Sequence, residues 1–180
     1  MKRRIAAALL ALILCAGVPL LSLAEQNIGS YGEADPVPVT NGEILIAPGY
    51  ACVCPLSVAV SGEDAYYVYL QYVGAPAYTT VDRSPAPGAG GGDDIAFYIA
   101  PGETVELEVP IGDYKLFYAC GETWYGLSSK FGRDTHYATS DDLLSFYASE
   151  QYYEGHSLQL WVQVGGNLGT EDIPADEFPG

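Results

Sequence analysis

The stretch TVELEVPIGDYKLFYAC, residues 104–120, decides the fold class. Val105, Leu107 and Val109 alternate with Thr104, Glu106 and Glu108, the period-two pattern of a half-buried strand. Tyr114, Leu116, Tyr118 and Cys120 then fall on one face of a second extended run. Pro110-Ile111-Gly112-Asp113 between them predicts a hairpin turn.

The same logic extends outward. Leu56–Val60, Tyr66–Tyr72, Ile95–Ile99 and Leu158–Val164 are short runs of β-formers or strict alternation. Asp141–Tyr147 fits one helical turn or another strand. No segment sustains a helical period. Ser61-Gly62-Glu63-Asp64 and Pro101-Gly102 mark turns, and the glycine-rich run Pro85–Asp94 predicts a loose loop. The expectation is an all-β domain: a single antiparallel β-sandwich of about seven strands.

Lys2, Arg3 and Arg4 precede an apolar run from Ile5 to Leu23, and Ser22-Leu23-Ala24 offers small residues where a signal peptidase cuts. The expected organisation is a signal peptide over 1–24, a flexible leader over 25–42 and the sandwich over 43–180. Cys15 follows Leu14, whereas a lipoprotein cysteine follows a small residue. The expected product is therefore secreted, with no membrane insertion after cleavage.

The chain has 23 acidic residues, none of them before Ala24, and a formal charge of −16. Beyond Ala24 its basic residues are Arg83, Lys115, Lys130 and Arg133. So acidic a surface repels phosphate backbones and anionic lipid, which argues against nucleic acid as a partner.

Cys52, Cys54 and Cys120 are the disulfide candidates, one of the first two reaching the third, in a compartment that permits oxidation. Burial as unpaired thiols competes with that pairing. No metal is expected: zinc would need a fourth ligand from His136 or His156, and Asp134, Asp141 and Asp142 lack a calcium-loop pattern.

Catalysis has little to stand on. There is no G-x-S-x-G, and the cluster Gly88, Gly90, Gly91 and Gly92 is followed by Asp93 and Asp94 rather than the lysine of a phosphate cradle. The chain is expected not to be an enzyme and to need no cofactor. Carboxylates near Asp134–Asp142 leave a secreted hydrolase as an alternative.

The 15 tyrosines are the compositional anomaly. Such rings serve either a β-core or a binding surface. Trp124, Tyr125, His136 and Trp161 are the candidate ligand-binding residues, on an extracellular interaction or scaffolding module whose partner is a cell-envelope protein or a glycan. A carbohydrate-binding module is the nearest alternative. The run 118–137 otherwise predicts a corner of the sandwich, with Trp124 and Tyr125 in a turn between Gly121 and Gly126. Lys130 and Arg133 are expected to pair with Asp134, Asp141 or Asp142.

VELEVPIGDYKLFYACGETWYGLSSKFGRDTHY (105–137) carries V-P-x-G-x-Y, Y-A-x-G-x-T-W-Y-G and F-G-x-x-T, and GNLGTEDIPADEF follows at 166–178. In these motifs the chain resembles an uncharacterised family of bacterial extracytoplasmic β-domains, from about Leu56 to Phe178. The resemblance implies an all-β extracytoplasmic domain without known enzymatic activity. The Cys52-x-Cys54 element and the long 85–94 loop depart from the family pattern.

Overall fold

The computed structural model describes residues 35–75, 92–148, 152–160 and 169–180. Its strands are β1 (Ile44–Ile46), β2 (Cys54–Val60), β3 (Ala65–Gly74), β4 (Ile95–Ile99), β5 (Thr104–Val109), β6 (Gly112–Gly121), β7 (His136–Phe146), β8 (His156–Leu160) and β9 (Thr170–Asp172). They form a six-stranded sheet, β1-β4-β3-β6-β7-β9, and a three-stranded sheet, β5-β2-β8. The architecture is an all-β sandwich.

Every expected strand is present among the described residues, that predicted over Leu158–Val164 as far as Leu160 with 161–164 outside them, and Asp141–Tyr147 is strand rather than helix up to Phe146. Nine strands rather than seven form among the described residues, because three-residue β1 and β9 pair along the sheet edges. Such short edges carry little pattern of their own. Pairing is antiparallel except that β8 runs parallel to β2, with Val58 opposite Leu158. No helix of the described residues is long and apolar enough to cross a membrane.

The predicted hairpin at 110–113 is corrected. β5 pairs with β2, whereas β6 pairs with β3 and β7 in the other sheet. Pro110 and Ile111 carry the chain from one layer to the other. Two features account for this. Pro110 has no N–H to donate to a continuing ladder. In addition, β5 is apolar on one face only, with Glu106 and Glu108 exposed, while β6 is covered on both. A shared ladder would set the wet face of β5 beside the covered Phe117 and Ala119. Splitting the strands lets Val105 and Val109 face Tyr114 and Leu116 across the sandwich. Gly112 permits the close turn, since a Cβ there would lie 2.6 Å from Tyr72 Cε2.

The inner core fills the space between the sheets. It takes Cys54, Leu56, Val58 and Val60 from β2, and Tyr66, Val68, Leu70, Phe97, Leu116, Leu144 and Phe146 from the larger sheet. Each aliphatic or phenyl side chain so buried contributes about 1.5–3 kcal/mol. A second core lies on the outer face of the six-stranded sheet. There Tyr67, Tyr69, Ala96, Tyr98 and Ala119 are covered by Trp124 and Phe131, with Val39 and Phe178 packed alongside. Residues 35–42, expected within the leader, are tied down: the Val37 N–H donates to the Trp124 carbonyl (2.9 Å) and the Gly42 N–H to the Tyr98 carbonyl (2.9 Å).

β7 bulges where Lys115 opposes Leu143 but Phe117 opposes Thr139. The extra residues lie around Ser140–Asp142. The Lys115 ammonium donates to the Ser140 carbonyl that the bulge releases, and Ser140 Oγ donates to the Asp142 carbonyl at 2.7 Å.

Candidate functional site

Of the predicted site residues, Trp124, Tyr125 and His136 lie among the described residues. Trp124 is only 5% exposed. Its indole stacks on Tyr67 at 5.4 Å and meets Phe131 edge-on at 5.3 Å. The loop behind it is closed by Tyr125 N–H to the Lys130 carbonyl (2.7 Å) and Lys130 N–H to the Gly126 carbonyl (2.8 Å). Gly126, Lys130 and Gly132 all take positive φ, at 92°, 49° and 79°. Gly121 is required because a Cβ would sit 2.6 Å from that of Phe131. This is a structural corner, and the indole offers no face to a ligand. Tyr125 is half-buried with its ring against Gly132.

Lys130 is buried and does not pair with the acids expected for it. Its ammonium donates to the Leu127 carbonyl and, at 2.8 Å, to the Gly180 carbonyl, and lies 4.9 Å from the Tyr67 ring centroid. Burial lowers its pKa below that of an ordinary lysine. Asp134, Asp141 and Asp142 are exposed. His136 Nε2 lies 3.2 Å from Asp172 Oδ1 at the surface. Trp161 lies outside the described residues.

The disulfide expectation is also corrected: Cys52, Cys54 and Cys120 are free thiols. Cys54 lies beside Tyr114, six residues along β6 from Cys120. At the rise of an extended strand that is about 20 Å, and a disulfide needs Cα atoms within about 7 Å. Burial, with Glu108 and Glu154 nearby, pushes the Cys54 thiol up to about 12. Burial does the same to Cys120, aided by Asp64 and Asp172, and it is also pushed up to about 12. Thiols held neutral in this way are poor nucleophiles.

The accessible aromatics lie elsewhere. Tyr50, Tyr152 and Tyr153 are 45%, 60% and 43% exposed. All three belong to the end of the sandwich where β2 begins, β5 ends, β6 begins and β7 ends. Cys54 opposite Val109, Gly112 opposite Phe146 and His156 opposite Leu56 fix that end in register. Tyr152-Tyr153 stands in the polar stretch Ser149–Ser157, which carries no motif. Tyr50 carries only a weak signal, following Pro48-Gly49 in a turn.

The pole is built on a stiff base. Asp94 accepts from Tyr69 Oη (2.6 Å) and from the Tyr72 N–H (2.8 Å), and Asp93 accepts from the Gly49 N–H (3.0 Å). The Glu154 N–H donates to the Tyr147 carbonyl (2.8 Å), and Ala148 bridges to Tyr153. His156 Nε2–H donates to the Ser145 carbonyl (2.9 Å), and its ring sits edge-on to Phe146 at 4.8 Å. Gly155 lets the loop press on β2, since a Cβ would fall 2.0 Å from the Pro55 carbonyl oxygen. Among the described residues no group of three His, Cys, Asp or Glu side chains is placed to hold a metal ion. What the pole offers is amphipathic ring surface among Asp93, Glu108 and Glu154. Set against protein-family models, characterised proteins and solved structures, the chain matches none.

Proposed function

We propose that the protein is a secreted, non-enzymatic interaction module that meets a cell-envelope partner through its tyrosine pole. The observation that carries this reading is the placement of Tyr50, Tyr152 and Tyr153, the most exposed of the described tyrosines, on loops at one end of a rigid sandwich. Tyrosine supplies large contact area at low conformational cost, and loops at a sandwich end are where such scaffolds carry recognition. The signal-peptide pattern and the acidity of the remaining chain support an extracytoplasmic setting.

A glycan array and pull-downs from envelope extracts, run with the wild type and with Tyr50→Ala/Tyr152→Ala/Tyr153→Ala, test it. The wild type is expected to bind and the triple variant to lose at least tenfold in affinity while melting at an unchanged temperature. No binding in either assay, or equal binding by both proteins, defeats the reading. N-terminal sequencing of the exported protein is expected to begin at Glu25.

A further inference from the structure

The segment Thr170–Gly180 joins the edge of the six-stranded sheet and returns onto its outer face in the manner of a bound peptide. Thr170, Glu171 and Asp172 add β9 to the free edge of β7, opposite Ser140, Thr139 and Ala138. The Ile173 N–H continues the ladder to the Tyr137 carbonyl at 3.1 Å. Residues 174–177 then stand exposed. Phe178 drops back among the rings of Tyr67, Tyr69, Phe117 and Tyr137, with centroids 6.0, 6.3, 6.0 and 5.1 Å away. Gly180 ends the run at φ 95°, where a Cβ would meet Tyr69 Cε2 at 2.9 Å, and its carbonyl receives the Lys130 ammonium. Strand addition plus one aromatic anchor is a recurring mode of peptide recognition.

We propose that the β7 edge, the ring socket and Lys130 form a peptide receptor that the chain's own 170–180 segment fills in cis. The occupant in trans is the same segment of a second copy. No apolar side chain of the segment joins the inner core, and Thr170 hydrogen-bonds to Tyr118 of that core; the segment's docking is otherwise separable from formation of the sandwich. The contacts explain what an otherwise costly buried ammonium does here: Lys130 donates to the Gly180 carbonyl of the segment and lies 5.9 Å from the anchoring Phe178 ring. An identical segment from another copy makes identical contacts, so exchange sacrifices none of them. A tethered segment competes at an effective concentration of about millimolar, so the cis form dominates in dilute wild-type protein. The socket and the tyrosine pole share Tyr69, whose ring meets Phe178 and whose hydroxyl donates to Asp94; none of Tyr50, Tyr152 and Tyr153 lines the socket.

The test uses the full chain carrying Phe178→Ala and a fluorescein-labelled peptide spanning residues 170–180, read by anisotropy. The variant is expected to bind the peptide saturably and at least tenfold more tightly than the wild type. A peptide with alanine in place of its phenylalanine is expected to lose that binding. Glu171→Pro, which disrupts β9 and leaves the socket intact, is the second receptor, and circular dichroism checks the fold of both. The proposal is overturned if no folded variant binds more tightly than the wild type, or if the alanine peptide binds as well as the native one. Failure of both variants to fold overturns it too, because the segment then belongs to the core rather than docking on it.

Discussion

On the inner face of the six-stranded sheet, Val68, Phe97 and Leu116 meet a second sheet. On the outer face, their neighbours Tyr67, Tyr98 and Ala119 meet a loop, the 35–42 stretch and the segment ending in Phe178. The inner core joins strands to strands and mixes aliphatic with aromatic side chains. The outer one is mostly rings, laid over the sheet by irregular backbone. Aromatic side chains make this possible, because a few large rings cover a sheet face that would otherwise need a further layer of secondary structure.

If the outer layer is a true core, emptying it should cost as much as emptying the inner one. Trp124→Ala is expected to lower stability by about 3–5 kcal/mol, matching Phe97→Ala. Urea unfolding of both variants measures this, and a loss below about 1 kcal/mol for Trp124→Ala would break the equivalence and reopen Trp124 as a surface residue.

Backbone crowding sharpens the comparison. Gly121→Ala drives a Cβ to 2.6 Å from the Cβ of Phe131, whereas Gly112→Ala meets the ring edge of Tyr72 at the same distance. A ring can turn, but a Cβ moves only with its backbone. Both should destabilise, by about 1–3 kcal/mol, with Gly121→Ala the worse of the two in the same urea experiment.

Alkaline pH acts on both layers. In the folded state Cys54 and Cys120 titrate near 12 against 9.0 ordinarily, and Tyr67 near 12 against 10.0. The unfolded chain loses these protons first, so stability falls as pH rises above about 9. Lys130 works the other way: its lowered folded pKa means that the unfolded chain holds the proton longer, so stability gains as pH approaches 10.5. The raised groups outnumber it, and the melting temperature is expected to drop from pH 9 to 11. A flat profile would show that these groups are less buried than they are here.

The smallest effect concerns the buried hydroxyls of Tyr66 and Tyr114 inside and Tyr67 outside, which find no hydrogen-bond partner among the described residues. Tyr114→Phe removes such a group at little change in volume. It should be neutral or stabilising by up to about 1 kcal/mol, as read from the melting curve.

The alternation in Leu56–Val60 and Val105–Val109 was sufficient to find strands β2 and β5 and their buried faces. Tyr66–Tyr72 and Ile95–Ile99, apolar on both sides, were equally legible as strands. Their two-sidedness already required a second covering layer, although nothing local said what supplies it. The site was harder to see. Trp124 carried the residue type of a binding site and lies in a core. Tyr50 carried only a turn beside it and lies on the surface.

The sequence by itself determined the strands, the inward faces and the acidity, because each rests on neighbours within a few residues or on composition. Only the tertiary structure decided that the 110–113 turn changes sheets, that β8 runs parallel to β2, and that Lys130 is buried under Phe178. It likewise decided that Cys54 and Cys120 stand too far apart to join. Each of those depends on which distant segment comes to lie opposite, and strand period is the same whichever partner is chosen.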